Sequence, residues 1–120
     1  MNRTQRGRWG ERVAAHFLEE RGYRILEANY RCSEGEVDLV AEEGEHLVFV
    51  EVRTRTSRAF GLPEESITTA KGKRMVAVAE SYLEAHQLFR PWRIDVVAIE
   101  AGAGGRLTRI EVVPNAWPLA

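Results

Sequence analysis

The chain has 120 residues, 44% apolar and 29% charged, with 17 basic against 18 acidic side chains. That length suits one domain with a single core, burying roughly two thirds of the unfolded surface. The lack of an apolar run near 18 residues or of a signal-peptide layout excludes membrane spanning and secretion as leading readings. One cysteine, Cys32, leaves no internal disulfide and no thiolate zinc site, so a soluble protein of a reducing compartment, the cytoplasm, is expected.

The spacing of Trp9, Val13, Phe17 and Leu18 predicts a helix from about Thr4 to Arg21, closed by Gly22. Residues 1–7 read as a flexible basic arm, with Arg3, Arg6 and the adjoining Arg8 as its cations, or as a fraying terminus. Tyr23, Ile25 and Tyr30 fit a short strand. After Ser33-Glu34-Gly35, residues Glu36 to Ala41 alternate polar and apolar, Glu43-Gly44-Glu45 is a turn, and His46 to Arg53 alternate again. Arg55 to Glu65, containing Gly61 and Pro63, reads as a loop. Thr68 or Thr69 caps a second helix to about His86, with Met75, Val78, Ala79, Tyr82 and Leu83 on one side. Trp92 to Glu100 is a fourth strand, Gly102 to Gly105 a turn, and Leu107 to Val113 a fifth strand pairing back on it. Residues 114–120 form a tail whose Trp117 and Leu119 dock on the domain or on a partner. The order α-β-β-β-α-β-β predicts a single α/β domain over residues 1–120, a mixed sheet with helices covering its apolar faces.

The net charge of −1 hides a strong pattern: residues 1–31 carry +3, residues 34–51 carry −7 and residues 53–93 carry +4. A compact acidic block between cationic segments suits a divalent cation beside a phosphate-binding surface. An ordinary solvated surface is the alternative that charge alone leaves open.

The hairpin permits a register calculation. With Gly44-Glu45 as a two-residue turn, Gly first as type II′ prefers, Glu43 pairs with His46. Asp38 then opposes Glu51, Glu36 opposes Arg53 and Val40 opposes Phe49. The other face holds Val37 with Val52, Leu39 with Val50 and Ala41 with Val48, uniformly apolar, which selects this register. Opposed carboxylates have Cβ atoms about 4.5–5.5 Å apart and repel. A hard divalent cation with oxygen ligands resolves that repulsion, and Mg²⁺ is typically held by one or two carboxylates plus water and phosphate. Arg53, two residues beyond Glu51, shares the face and suits a phosphate. An exposed sheet face dotted with salt bridges such as Glu36–Arg53 is the competing reading.

Asp38 followed by Glu51-Val52-Arg53 on the next strand looks like the nuclease pattern of an acid, then acid-x-Lys. Gly10-Glu11 with Ala14, Asn29-Tyr30-Arg31, Gly35-Glu36-Val37-Asp38-Leu39-Val40, Phe49 to Arg55, Phe60-Gly61 with Pro63, Lys71, Arg74 and Ile94-Asp95-Val96-Val97 together resemble the YraN family of bacterial proteins. That family is similar to archaeal Holliday-junction resolvases and to restriction-endonuclease-like folds. The resemblance spans about residues 8–100. It implies a restriction-endonuclease-like core, with Asp38 and Glu51 as metal-binding acids, the Val52 carbonyl as a further ligand and Glu11 as the helix acid completing the site. Arg53 departs from the usual Lys, since Arg, with a pKa above about 12, cannot act as a base.

The expected chemistry is hydrolysis of DNA phosphodiesters, at branched or structured sites, with Mg²⁺ or Mn²⁺ activating the water. Asp38, Glu51, Arg53 and Glu36 form the catalytic set. Lys71, Lys73 and Arg74 at the start of the second helix, with Arg55, are the candidate nucleic-acid contacts. The resolvase similarity favours a homodimer. A non-catalytic nucleic-acid-binding or adaptor protein on a decayed nuclease fold is the alternative, and a structural domain with an acidic face a third. His16, His46 and His86 lack metal-ligand spacing. Asp95 either pairs with a basic residue or supports the site.

Overall fold

Asn2 starts the first helix. Its side chain accepts a hydrogen bond from the Gln5 N–H (2.8 Å), and the Gln5 side chain accepts one from the Asn2 N–H (3.0 Å), a reciprocal capping box. In the computed structural model, which describes residues 2–117, helix α1 accordingly spans Arg3–Glu20. Residues 3–7, read from the sequence as a flexible arm, are therefore its first turns; Met1 lies outside the described residues. The buried line of α1 is Gly10, Ala14 and Leu18, with Trp9 and Val13 packed beside it. This is narrower than the expected stripe of larger residues, because small side chains at Gly10 and Ala14 let the helix lie close to the sheet. A Cβ on Gly10 would overlap Thr54 Oγ1.

Five strands follow the chain in spatial order: β1 (Arg24–Cys32), β2 (Gly35–Glu43), β3 (His46–Arg55), β4 (Trp92–Ala101) and β5 (Leu107–Trp117). All neighbours are antiparallel except β3 and β4, which are parallel. Parallel neighbours need a crossover. It is supplied by a short 3₁₀ turn (Pro63–Ser66) and helix α2 (Thr69–Ala85), capped by Thr68, whose hydroxyl accepts the Lys71 N–H at 3.1 Å. The helices lie on opposite faces. Under α1, Ala14 and Leu18 meet Leu39, Ala41, Val48, Val50, Val97 and Ile99. Under α2, Met75, Val78, Ala79 and Tyr82 meet Val40, Leu47, Phe49 and Ile94. The result is a mixed α/β fold with a five-stranded sheet covered on both faces, as the element order predicts. No helix among the described residues is long and apolar enough to cross a membrane.

The β2–β3 register is the calculated one from Glu43↔His46 to Leu39↔Val50, with Gly44 at φ 57°. Two expectations fail beyond that point. The ladder stops at Leu39↔Val50, so Asp38 and Glu51, and Glu36 and Arg53, are not ladder pairs. Val37 also lies under α2 with Val40 and Phe49, not beside Leu39 under α1. Residues 37 and 39 should share a face in a regular strand, so the alternation shifts at Asp38. Its opposite on β1, Asn29, has φ 54°.

The tail expected after Pro114 continues β5 to Trp117, which pairs with Ile94 and lays its ring on Gly72 of α2 so tightly that a Cβ there would overlap it. Leu119 lies outside the described residues.

Candidate functional site

A cleft of about 420 Å³ opens where β2 and β3 part, between the N-terminal turns of α1 and the start of α2. Its floor and walls include Glu11, Glu36, Asp38, Glu51, Val52, Arg53, Arg55 and Lys71, eight of the ten residues singled out from the sequence. Lys73 and Arg74 are exposed and do not line it. Each helical residue turns the side chain by about 100°. With Lys71 facing the cleft, Lys73 is turned to the opposite side of α2, about 200° round, while Arg74 shares the flank of Lys71 but sits one turn further along the helix.

Glu51 is the buried centre, only 3% exposed. Its Oε2 accepts from Lys71 Nζ at 2.6 Å and from the Arg53 guanidinium at 2.8 Å. Burial of a carboxylate is tolerated here because two cations compensate its lost hydration. The Nε atoms of Arg53 and Arg55 are buried without a hydrogen-bond partner among the described residues. Each therefore retains a donor that a ligand oxygen could satisfy.

Asp38 is half-buried, and its Oδ2 accepts the Val52 N–H at 2.8 Å. Val52 thus enters the site through its N–H, a contact the sequence reading, which named its carbonyl, did not anticipate. The side chain takes over a main-chain donor that the interrupted ladder leaves without a strand partner. Burial, and then the adjacent Glu51 charge, pushes the Asp38 carboxyl up from 3.8 to about 7, against the stabilising Val52 N–H, with a smaller contribution from Glu11. A cleft carboxyl whose ionisation is disfavoured by burial and by a neighbouring carboxylate is a recurrent feature of functional sites.

Glu36 lines the cleft but pairs with Arg31 across β1–β2 at 3.0 Å, not with Arg53. The early end of the β2–β3 ladder is the cause: beyond it, the only strand still registered with Glu36 is β1. Among the described residues no three His, Cys, Asp or Glu side chains are arranged to hold one metal ion. Glu11 therefore lines the cleft without completing a three-carboxylate cage. The donor set fits an ion held by Asp38 and Glu51 with its other positions open to water and ligand oxygens, the manner in which Mg²⁺ is commonly bound.

Sequence reasoning undervalued Arg3 and Arg6, both of which line the cleft. The signal was present in Asn2 and Gln5, whose capping box makes those turns helical and so aims them. It passed over Asn29, whose backbone conformation a strand pattern does not reveal.

Two further polar clusters are structural. Fully buried Asp95 accepts from the Tyr23 hydroxyl, the Asn115 N–H and Arg93 Nε, each at 2.9 Å, and Arg93 also reaches Glu43 at 2.6 Å. Of the two roles open to Asp95, pairing with a basic residue is the observed one. Glu100 accepts a fork from Arg58 (2.7 and 3.0 Å) and a bond from Arg109 (2.9 Å), tying the loop after β3 to the far end of β4.

A family model described as "Uncharacterised protein family UPF0102" matches residues 10–99. A UPF0102 protein of Roseiflexus castenholzii is 51% identical over 116 residues, covering 95% of this chain and 94% of that protein. One of Moorella thermoacetica is 47% identical over 118 residues, 98% of each. One of Chloroflexus aurantiacus is 52% identical over 103 residues, 84% of this chain and 82% of that protein. The cleft carboxylates and all of the quoted YraN-type motifs fall inside the matched span, and the chain belongs to the UPF0102 family.

Proposed function

We propose that this protein is a divalent-metal-dependent nuclease on a restriction-endonuclease-like core, hydrolysing DNA phosphodiesters in the cytoplasm, with branched or otherwise structured DNA as the substrate class. One observation carries the reading: the adjacent carboxyl groups of Asp38 and Glu51 sit in a cleft rimmed by Arg3, Arg6, Arg53, Arg55 and Lys71. An acid pair encircled by cations suits a polyanion that must be held while charge develops on one phosphate.

Asp38 and Glu51 would hold Mg²⁺ or Mn²⁺, which supplies Lewis-acid polarisation of a phosphoryl oxygen and lowers the pKa of bound water. The chain's own residues do the rest. Val52 fixes Asp38 through its N–H. Lys71 and Arg53 hold Glu51 in place and lie beside it to receive phosphate oxygens. Arg53 cannot take a proton from water, so Glu11 or Glu36 at the cleft wall orients the nucleophile. Two copies of the chain in a dimer would let opposed sites cut two strands symmetrically.

A non-catalytic nucleic-acid binder is the second reading, favoured by the two ion pairs already made by Glu51, which a metal ion must partly displace. A labelled panel of single-stranded, duplex, flapped and four-way-junction DNA, each with Mg²⁺, Mn²⁺ or EDTA, separates the two. Metal-dependent cutting that disappears in folded Asp38→Ala and Glu51→Ala proteins supports the nuclease. Binding without cutting on every substrate supports the second reading, and neither binding nor cutting removes both.

A further inference from the structure

Asn29 is a non-glycine residue held at φ 54° inside a strand, with an exposed side chain. Left-handed backbone is costly for most residues and least so for Gly, Asn and Asp. The β1–β2 ladder runs through Ala28↔Leu39 and Tyr30↔Val37 but passes over the position between them, where Asn29 faces Asp38. At that same position β2 loses its alternation, with Val37 and Val40 both under α2 and Leu39 under α1. The irregularities on the two strands coincide, and the residue between them on β2 is the cleft carboxylate whose Oδ2 takes the Val52 N–H.

We infer that Asn29 is a positioning residue for Asp38: its left-handed backbone half-turn, not its side chain, lets β2 change faces at Asp38 while the β1–β2 register is kept, and so turns the Asp38 carboxylate toward β3. In a regular ladder Asp38 would share its face with Val40 and stand in the apolar layer beneath α2. With the shift, it reaches into the gap where β2 and β3 separate and its Oδ2 takes the Val52 N–H, while Glu51, which a regular register would also have set opposite it, stays its neighbour. Strain held at one residue next to a site, and stabilised by the surrounding sheet, is a known device for aiming a functional group.

Asn29→Gly keeps the left-handed conformation accessible, whereas Asn29→Val and the milder Asn29→Ala penalise it. The direct reading is amide hydrogen exchange of Val52 in EDTA, relative to Val50, whose residue still lies within the β2–β3 ladder. We expect Val52 to exchange roughly tenfold faster relative to Val50 in Asn29→Val, with a smaller effect of the same sign in Asn29→Ala and wild-type protection in Asn29→Gly. Calorimetric Mn²⁺ binding should weaken in the same order and be retained by Asn29→Gly. If Asn29→Val does not fold, the Ala and Gly proteins carry the comparison. Unchanged Val52 protection in Asn29→Ala or Asn29→Val, or loss in Asn29→Gly equal to that in Asn29→Ala, would overturn the inference. Only the metal measurement rests on the proposed nuclease reading. A wild-type chain that binds no Mn²⁺ refutes that reading, while the Val52 exchange order still decides the role of Asn29.

Discussion

Replacing Asp38 with Asn should stabilise the metal-free protein while removing a ligand, and the gain should depend on pH in a defined window. The carboxyl titrates near 7 in the folded protein instead of the usual 3.8, chiefly through burial and the neighbouring Glu51. A folded-state pKa raised above the unfolded one means that folding favours the protonated acid. Its contribution is fully present below about pH 3.8 and is lost progressively as pH rises through 7. Asn is neutral at every pH, and its carbonyl oxygen can still accept the Val52 N–H. The difference between 3.8 and about 7 corresponds to about 4 kcal/mol, and the partial exposure of Asp38 reduces this to about 2–3 kcal/mol. For a domain of this size that is a rise of about 10 °C in melting temperature. Thermal melts by circular dichroism in EDTA, from pH 4 to 8.5, should show the two proteins nearly coincident at pH 4. The variant should then gain steadily to about pH 7 and level off. Added Mg²⁺ should raise the wild-type melting temperature at pH 8 and leave Asp38→Asn unmoved. A pH-independent difference, or a variant less stable at pH 8, would refute the assignment of Asp38 as a carboxyl strained by its surroundings.

The Gly72–Trp117 contact gives a packing test. Gly72→Ala forces a Cβ into the indole ring, with an expected cost of about 1–3 kcal/mol by urea unfolding and a displaced Trp117 reported by its fluorescence. Tyr23→Phe removes one of the bonds to fully buried Asp95. It should destabilise by about 1–2 kcal/mol and leave DNA binding unchanged, because neither residue lines the cleft. Neutralising Arg3 and Arg6 together should lower the slope of log affinity for duplex DNA against log salt by about 2, whereas neutralising exposed Lys73 and Arg74 should change it less. Equal slopes for the two pairs, measured by anisotropy titration, would remove the α1 cations from the binding surface. Gly10→Ala should push α1 off Thr54, and its cost of about 1–3 kcal/mol in unfolding should come with weakened Mg²⁺ stabilisation, since the adjacent Glu11 moves with the helix.

Much of this molecule follows from interactions short in sequence. Thr68 capping the second helix, the Gly44 turn and the register it sets, and the arrival of Asp38 and Glu51 at one end of a hairpin were all legible, because a cap spans three residues and a two-residue turn dictates its own pairing. The same local logic placed Arg53 beside Glu51 and distinguished core from surface in α2. Where the pattern misled, a distant contact had decided. Gly10 and Ala14 join Leu18 on the buried line of α1, ahead of Trp9, Val13 and Phe17, and at Gly10 it is Thr54 and Val52, from a strand more than forty residues away, that approach.

Residue identity and spacing by themselves determined the element order, the hairpin register and the pair of acids with its cationic neighbours. Tertiary structure decided where that ladder stops, that Glu36 turns to Arg31, that Lys73 and Arg74 stay outside the cleft while Arg3 and Arg6 enter it, and that Asn29 is left-handed opposite Asp38. The difference is physical. Periodicity reports which side of a regular element a residue occupies, whereas a functional cleft forms where two regular elements part, and only the packing of the rest of the sheet and both helices specifies that point.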